Sequence, residues 1–590
     1  MPETILQLFE ATVRARPDGP AMARKEAGTW RLTTWAGYRD AVRQAAAGLV
    51  SQGVKPGQGV VILAFNRPEW YVAHLAAMCA GACPAGIYTN STPEQCRFIA
   101  EHAEASVAFV ENEAALGRLE GAGGRPLGLR TVVLMDSVTR GAGVLGWEEL
   151  LARGRADASA VAEVDRRTAA ARAAHTATLI YTSGTTGTPK AVMLTHGNLA
   201  FIAEKALEIL PVRAEDQLVS YLPLSHIAEQ VVSFILSLAT GACVHFAESL
   251  ERMPETLREV RPHVFLGVPR VWEKIQAAME AAGAAQPPLR RRIAAWARGV
   301  GAAAGRADQE GRPRPWSYRI ADRLVFSRVR ERLGFDRARM LVVSAAPIAK
   351  ETLDYFQSLG LPIMEVYGMS ECTGPATTSI PARYRLGRAG YAIPGTELRI
   401  ATDGEILIRG PHVFKGYYRN EEATRETLDA EGFLHSGDIG EIDDDGFLRV
   451  TDRKKELIIT AGGKNIAPQH LEGRLKQIPA VSQAVAVGDR RPYVVALLTL
   501  DPARVAEVAA RARSPARSVE EAAACPAFKA WIDREVERVN QDLARYESIK
   551  KVALLPRELA VETGELTPTL KLKRRVILER HRATIEALYE

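Results

Sequence analysis

One stretch of this 590-residue chain concentrates groups that could hold an anion: "YTSGTTGTPKAVMLTH", residues 181–196. Five hydroxyls, Thr182, Ser183, Thr185, Thr186 and Thr188, precede Lys190, and Gly184 and Gly187 lie among them. Backbone N–H groups of a glycine-rich turn can converge on a phosphate, and hydroxyls rotate to add donors. A lysine supplies a point charge. The ordinary alternative is a Gly/Thr-rich hairpin loop that binds nothing. The spacing is not the GxxxxGK[ST] of a P-loop, and a strand pattern follows where a P-loop would begin a helix.

The flanking segments, "TATLIYTS" and "KAVMLTH", read as strands, so the loop joins strand to strand, and "GNLAFIAEKALEIL" reads as a helix. Upstream, "TWAGYRDAVRQAAAGLVSQGV", "GQGVVILAF", "PEWYVAHLAAMCAGACPAGIY" and "PEQCRFIAEHAEASVAFVEN" alternate helix and strand patterns. That alternation predicts layered α/β architecture with parallel sheets. Near residue 450 the texture becomes turn-rich and charged: "DDDG" reads as a hairpin turn and "DRKK" as a polar joint. The expected division is a large domain over 1–452 and a small one over 453–590.

Composition excludes several classes. Charged residues make up 25% and the net charge is +6, which does not suggest a dedicated nucleic-acid binder. Six scattered cysteines without a CxxC pair argue against a zinc or dithiol site and for free, mostly buried thiols in a reducing compartment. No apolar run is long enough to span a membrane, and the N-terminus lacks the pattern of a signal peptide. The expected location is cytoplasmic, with a peripheral position at the inner face of the membrane left open. Residues 289–339 are dense in arginine. A solvated helical face is the favoured reading, and a surface for lipid headgroups or a polyanionic cofactor is the other. The alanine-rich stretches "AAMEAAGAAQPP" and "AEVAARARSPARSVEEAAA" read as helix or loop insertions without function.

The opening stretch resembles the signature of the adenylate-forming superfamily, which includes acyl-CoA synthetases, luciferase and peptide-synthetase adenylation domains. Further motifs follow in the same order: "YLPLSHIAEQ", "VVSAAPIAKE", "VYGMSECTG", "HSGDIG", "DRKKE" and "GELTPTLKLKRR". The resemblance implies a large multi-subdomain N-terminal domain with layered sheets and helices, and a small mobile α+β C-terminal domain.

It also implies roles. Thr182, Ser183, Gly184, Thr185, Thr186, Gly187 and Lys190 would cradle the ATP phosphates. Ala346 and Pro347 would border the adenine, in a segment where many relatives carry glycines at 345 and 346. Tyr367 and Gly368 would pack against the base, Ser370 would donate to the α-phosphate, and Asp438 with Arg453 would take the ribose. Glu371 and Thr182 would hold Mg²⁺. His226 would lie beside the substrate carboxylate. Lys455 matches the hinge, and Lys571, followed by an arginine pair, the lysine that contacts carboxylate and α-phosphate.

The implied reaction joins a fatty acid, ATP and coenzyme A. Acyl-AMP forms first, the small domain turns, "ITAGGKNIAP" approaches, and the thiol displaces AMP. "RPHVFLGVPRVWEKI" resembles the long- and very-long-chain branch, where Trp272 would either pack by the acyl tunnel or be a core residue. Alternatives are a fatty acyl-AMP ligase that loads a carrier protein, a ligase for aryl or medium-chain acids, and a non-catalytic acyl or nucleotide sensor. The sequence leaves a homodimer open.

Overall fold

The computed structural model describes residues 2–136, 141, 143–182, 189–461, 464–561, 563–567 and 571–590. Two large sheets, layered with helices, form the body of the chain up to residue 453. One has eight strands. Its parallel run joins Thr176–Thr182, Cys83–Gly86, Gly59–Leu63, Val107–Val110, Thr131–Leu134 and Val144–Gly146, and beside Thr176–Thr182 the strands Lys190–Thr195 and then Gly416–Tyr417 extend one edge antiparallel. Strands such as Gly59–Leu63 are buried along their whole length, as expected of a parallel sheet covered on both faces.

The second sheet has nine strands. Its parallel core runs through Ile363–Met369, Met340–Val343, Val264–Gly267, Gln217–Ser220, Cys243–Phe246 and Pro20–Glu26. A four-stranded antiparallel sheet follows, ending in the hairpin of Leu434–Ile442 with Leu448–Arg453. The "DDDG" turn forms that hairpin, with the Asp443 carboxylate accepting from the Asp445 and Phe447 amides at 3.2 and 2.9 Å.

Local chemistry fixes the element that carries the opening stretch. Leu194 and Ala191 are buried, and a capping box at Thr195 and Asn198 turns the strand Lys190–Thr195 straight into the helix His196–Ile209. The strand-to-strand reading of this loop holds: Thr182 pairs with Lys190 across an antiparallel hairpin. Ser183, Gly184, Thr185, Thr186, Gly187 and Thr188 lie outside the described residues.

From Ile458 onward a separate hydrophobic core forms between the helices Pro468–Leu475, Pro502–Ala512 and Pro526–Gln541 and a sheet of Val481–Val487, Val494–Leu500 and Ile549–Leu554. Ion pairs tie this unit to the body: Arg474 to Glu351 at 3.2 Å and Lys476 to Glu273 at 3.3 Å. All six cysteines are free, and five are buried. Among the described residues, no helix is long and apolar enough to cross a membrane.

Candidate active site

Strand ends and inter-strand loops of both large sheets open onto one continuous cleft of about 3800 Å³, closed on one side by the small unit. At its polar end, Thr182 and Lys190 stand at the mouth of the hairpin, with the Thr182 hydroxyl 3.4 Å from the Lys190 carbonyl oxygen. The Lys190 ammonium lies 4.8 Å from the Tyr417 ring centroid, a cation–π distance. The Tyr417 hydroxyl donates to Glu371 Oε1 at 2.8 Å. Tyr417 was not singled out by its sequence. It reaches the site because Gly416–Tyr417 pairs with the strand Lys190–Thr195, more than 220 residues away in the chain.

The strand Ile363–Met369 carries Tyr367 and Gly368 to the cleft, and Ser370 and Glu371 follow in a single 3₁₀ turn. Gly368 admits no side chain, since a Cβ there would overlap the Gly374 carbonyl oxygen. Tyr367 donates to Asp438 Oδ2 at 2.9 Å, and the Arg453 guanidinium lies 3.4 Å from Asp438 Oδ1. Asp438 and Arg453 are direct partners in the hairpin register, so the ladder itself holds the pair. Burial pushes the Asp438 carboxyl up, and Arg453, the Tyr367 hydroxyl and Lys571 oppose that shift. Burial and the Asp438 charge both push the Tyr367 hydroxyl up, which keeps it a donor.

Opposite Tyr367, the strand Met340–Val343 ends in Ser344, Ala345, Ala346 and Pro347. Ser344 donates to the Val366 carbonyl at 2.9 Å and ties the two strand ends together. Ala345 has φ of +75°, a left-handed conformation that favours glycine. The departure from glycine at this position therefore carries backbone strain.

Glu405, another residue the motifs did not flag, is buried and accepts from the Gly437 amide at 2.8 Å and from Lys454 Nζ at 2.8 Å. Burial opposes its ionisation, but Lys454, Gly437 and His435 hold its pKa below the ordinary value. It links the Asp438 turn to the joint. Lys455 stands exposed in the turn that follows Leu448–Arg453.

His226 caps the short helix Ile227–Glu229, its Nδ1 accepting from the Ala228 amide at 3.1 Å. Burial, and then the Lys571 cation, lower its pKa to about 3. The neutral ring accepting at Nδ1 must carry its proton on Nε2. The last residue of that helix, Glu229, is 2% exposed; its Oε2 accepts from the Leu222 amide at 3.3 Å and its Oε1 has no partner among the described residues. Burial raises its pKa to about 7.

Lys571 enters from the small unit and is half-buried. It exchanges backbone and side-chain bonds with Thr567: the Thr567 amide donates to the Lys571 carbonyl at 2.8 Å, and the Lys571 amide to Thr567 Oγ1 at 3.0 Å. Three residues on, Arg574 donates to Glu472 at 2.6 Å and to the Ala486 carbonyl at 2.8 Å. Burial and Arg453 lower the Lys571 pKa to about 8, against the charges of Asp438 and Glu371. Leu570, the residue before it, lies outside the described residues.

Beyond His226 the cleft turns apolar. Val231, Leu266, Ile275, Met279, Val329 and Leu333 line it. Of the two readings of Trp272 the structure takes the second, and one sequence expectation changes. Trp272 is a core residue, fully buried, with Nε1 donating to the Gly267 and Val342 carbonyls at 3.1 and 3.2 Å, and it does not line the cleft. The stretch "AAMEAAGAAQPP", read as an insertion without function, forms the end of the helix Pro269–Ala284 and walls the cleft through Ala278, Met279 and Ala282. Small side chains on that face make room.

Residues 9–418 match the AMP-binding enzyme family, and residues 455–590 match the AMP-binding enzyme C-terminal domain. The long-chain-fatty-acid–CoA ligase ACSBG2 of Xenopus laevis is 38% identical over 100% of this chain and 84% of its own length. The long-chain-fatty-acid–CoA ligase FadD15 of Mycobacterium bovis is 37% identical over 98% of this chain and 95% of its own. In fold, the adenylation domain of a carboxylate reductase from Mycobacterium chelonae superposes with a TM-score of 0.75 at 22% identity, over 99% of this chain and 91% of that one. ATP-bound MatB from Rhodopseudomonas palustris gives 0.69 at 21% identity, over 98% and 99%. With the matched motifs converging on one cleft, the chain belongs to the AMP-binding enzyme family.

Proposed function

We propose that the protein is a long-chain fatty acid–CoA ligase that forms AMP. The observation that carries this reading is the convergence of Tyr367, Asp438, Arg453, Glu371 and Lys571 at one end of a cleft whose other end is apolar. The names of the relatives supply the substrate class: both are long-chain-fatty-acid–CoA ligases.

Adenine would slide between Tyr367 and the Ala345–Ala346–Pro347 backbone, and the ribose hydroxyls would meet Asp438 and Arg453. Lys190, Thr182 and the residues from Ser183 to Gly187 would face the β- and γ-phosphates, with Ser370 on the α-phosphate. His226, neutral with its proton on Nε2, would donate to the fatty carboxylate without neutralising its charge. A carboxylate oxygen attacks the α-phosphorus, and pyrophosphate leaves with the bonding pair. Lys571, cationic below about pH 8, would stabilise the negative charge that builds on the phosphoryl oxygens.

Mg²⁺ fits the donors present. Among the described residues no cluster of three His, Cys, Asp or Glu side chains could cage an ion. A single carboxylate, Glu371, oriented by Tyr417, with Thr182 nearby, suits an ion held mainly by nucleotide phosphates. Bound there, it would neutralise phosphate charge.

Acyl transfer then requires Lys571 to leave. The exposed turn at Lys455, between the body (1–452) and the small domain (453–590), is the natural pivot. Rotation there would break the half-exposed Arg474–Glu351 pair, which costs little to separate, and the part-buried Lys476–Glu273 pair. The segment 459–468 would approach the coenzyme A thiol, whose sulfur attacks the acyl carbon and expels AMP.

The test is AMP release from MgATP with palmitate, octanoate, acetate and an aryl acid, with and without coenzyme A. Palmitate-dependent turnover that requires coenzyme A supports the reading. Pyrophosphate formation without thioester points to carrier-protein loading, and silence with every acid defeats the proposal.

A further inference from the structure

The motif "YLPLSHIAEQ" ends in two residues to which the proposed reaction gives no part, Glu229 and Gln230. Both are buried, and each leaves its Oε1 without a partner among the described residues. Residues 221–226 all line the cleft, whereas Glu229 and Gln230 do not. The two side chains therefore stand behind the cleft wall and hold it from the dry side.

Leu222 is held at both of its backbone groups. Its amide donates to Glu229 Oε2 at 3.3 Å, and its carbonyl accepts from Asn66 Nδ2 at 2.7 Å. Asn66 Nδ2 also donates to Ser220 Oγ at 2.8 Å. Gln230 Nε2 donates to the Leu224 carbonyl at 2.8 Å, two residues before His226. Glu229 is itself anchored: the Tyr71 hydroxyl donates to Ser233 Oγ at 2.7 Å, and the Ser233 hydroxyl to the Glu229 carbonyl at 2.8 Å. Asn66 follows the strand Gly59–Leu63 of the eight-stranded sheet, and Ser220 ends the strand Gln217–Ser220 of the nine-stranded one. The network thus pins the His226 loop where the two sheets meet. The helix changes winding at the same place, with a π-helical turn over Gln230–Ile235, a feature that recurs at functional sites.

The charge on Glu229 matters because of this placement. Burial raises its pKa to about 7, against the pull of the Ser220 and Ser233 hydroxyls and the Leu222 and Tyr221 amides. The ionisable groups around it offer no free cation. Tyr71, from the helix Pro68–Cys79, and Tyr221 have hydroxyl pKa values raised well above the ordinary value by burial. His74 of that helix and His226 are neutral, each with a pKa of about 3, and Arg67, beside Asn66, is taken by Glu69 and Asp136. Lys571 faces His226 from the small unit. A proton on Oε1 removes the cost of a buried, unpartnered carboxylate oxygen. It also keeps a second negative charge away from the place where a fatty carboxylate would meet His226. We infer that Glu229 is a positioning residue for the acid: as the neutral carboxyl it holds the loop 221–226, and His226 with it, in the shape that receives a carboxylate, and as the anion it repels one. This role rests on the ligase reading.

The test is the KM for octanoate and the KM for ATP, read by pyrophosphate release from MgATP, from about pH 6 to about pH 8. Octanoate stays ionised over that range, and Lys571 is cationic below about pH 8. In wild type the octanoate KM should rise by about tenfold across the range, while the KM for ATP holds steady. Glu229→Gln, which keeps the shape of the neutral carboxyl, should give a flat octanoate KM close to the low-pH value of wild type. Ser220→Ala removes a hydroxyl that favours the anion, so the rise should move to higher pH. Glu229→Ala, without the bond to the Leu222 amide, should raise the octanoate KM at every pH and leave the KM for ATP unchanged. If that variant does not fold, the Glu229→Gln profile decides alone. A flat octanoate KM in wild type, or the same rise in Glu229→Gln, overturns the proposal. So does an equal rise in both KM values in Glu229→Ala, which would mean a general distortion of the cleft. Silence with every acid at every pH would sink the ligase reading and this role with it, whereas octanoate turnover with a flat KM sinks this role alone.

Discussion

The two ends of the cleft are built on different principles. At the polar end, each group is held by another: Tyr367 by Asp438, Asp438 by Arg453, Glu371 by Tyr417, and Lys571 by the Thr567 exchange. At the apolar end, Val231, Ile275, Met279 and Val329 define a shape, and Gln276 and Glu280, which also line it, bond to each other at 2.9 Å. Orientation at a reacting phosphorus demands fixed donors in a dry site. An alkyl chain demands room and exclusion of water, which many combinations of side chains supply. The contrast predicts that changes at the polar end alter the rate with every acid, whereas changes at the apolar end alter which acid is used.

The largest expected break is Lys571→Ala. Pyrophosphate formation should fall by about 10²–10³-fold, equally for palmitate and octanoate. Transfer from supplied acyl-AMP to coenzyme A should stay within about threefold of wild type. Stopped-flow measurement of each half-reaction separates the two. If both halves fall together, Lys571 is not confined to adenylation.

The same residue sharpens the comparison through pH. Its pKa is lowered to about 8 by burial and by Arg453, so the working cation is present below that pH and lost above it. The kcat/KM for ATP in the adenylation half-reaction should therefore decline above about pH 8, and Lys571→Arg should carry the plateau to higher pH. A profile flat to pH 10 would contradict the assignment.

Tyr417→Phe removes one donor to Glu371 while keeping the ring under Lys190. Adenylation should slow by about tenfold, in line with loss of a hydrogen bond to a charged group. Added Mg²⁺ should recover part of the rate, and the acid preference should not move.

The smallest effect lies between the two ends. Glu229 has its pKa raised to about 7 by burial, above the ordinary carboxyl range. The folded chain holds that proton while the unfolded chain releases it, so this group costs stability as pH rises from the unfolded value toward about 7. Glu229→Gln mimics the protonated form. Its Tm should exceed wild type at pH 8 and converge with it at pH 4, which differential scanning fluorimetry can read.

What the sequence made legible follows the same division. Motifs such as "VYGMSECTG" and "HSGDIG" name their residues because fixed polar roles allow few residue types, and Tyr367 and Asp438 do meet in space. The alternation of helix and strand patterns likewise marked the parallel sheets, since burial of both sheet faces writes long apolar runs such as Gly59–Leu63. Tyr417 stayed hidden because only strand pairing across the sheet brings it to Lys190, and nothing local in "FKGYYRN" signals that. The acyl wall stayed hidden because an alanine-rich helix face lining a cleft has the same composition as one that lines nothing. Trp272 shows the converse: it invited a functional reading and is a core residue held by two carbonyl groups.

The separability of the two ends is tested most directly by narrowing the apolar one. Met279 lines the cleft from the helix Pro269–Ala284 and is half-buried, so Met279→Trp should be accommodated while filling the cleft. The measurement is kcat/KM for a series of saturated acids from C6 to C18, in wild type and variant, with the KM for ATP determined alongside. The account predicts that the longest acids lose about tenfold or more, that C6 and C8 stay within about twofold, and that the KM for ATP does not change. A uniform loss across all chain lengths, or an unchanged profile, would contradict it.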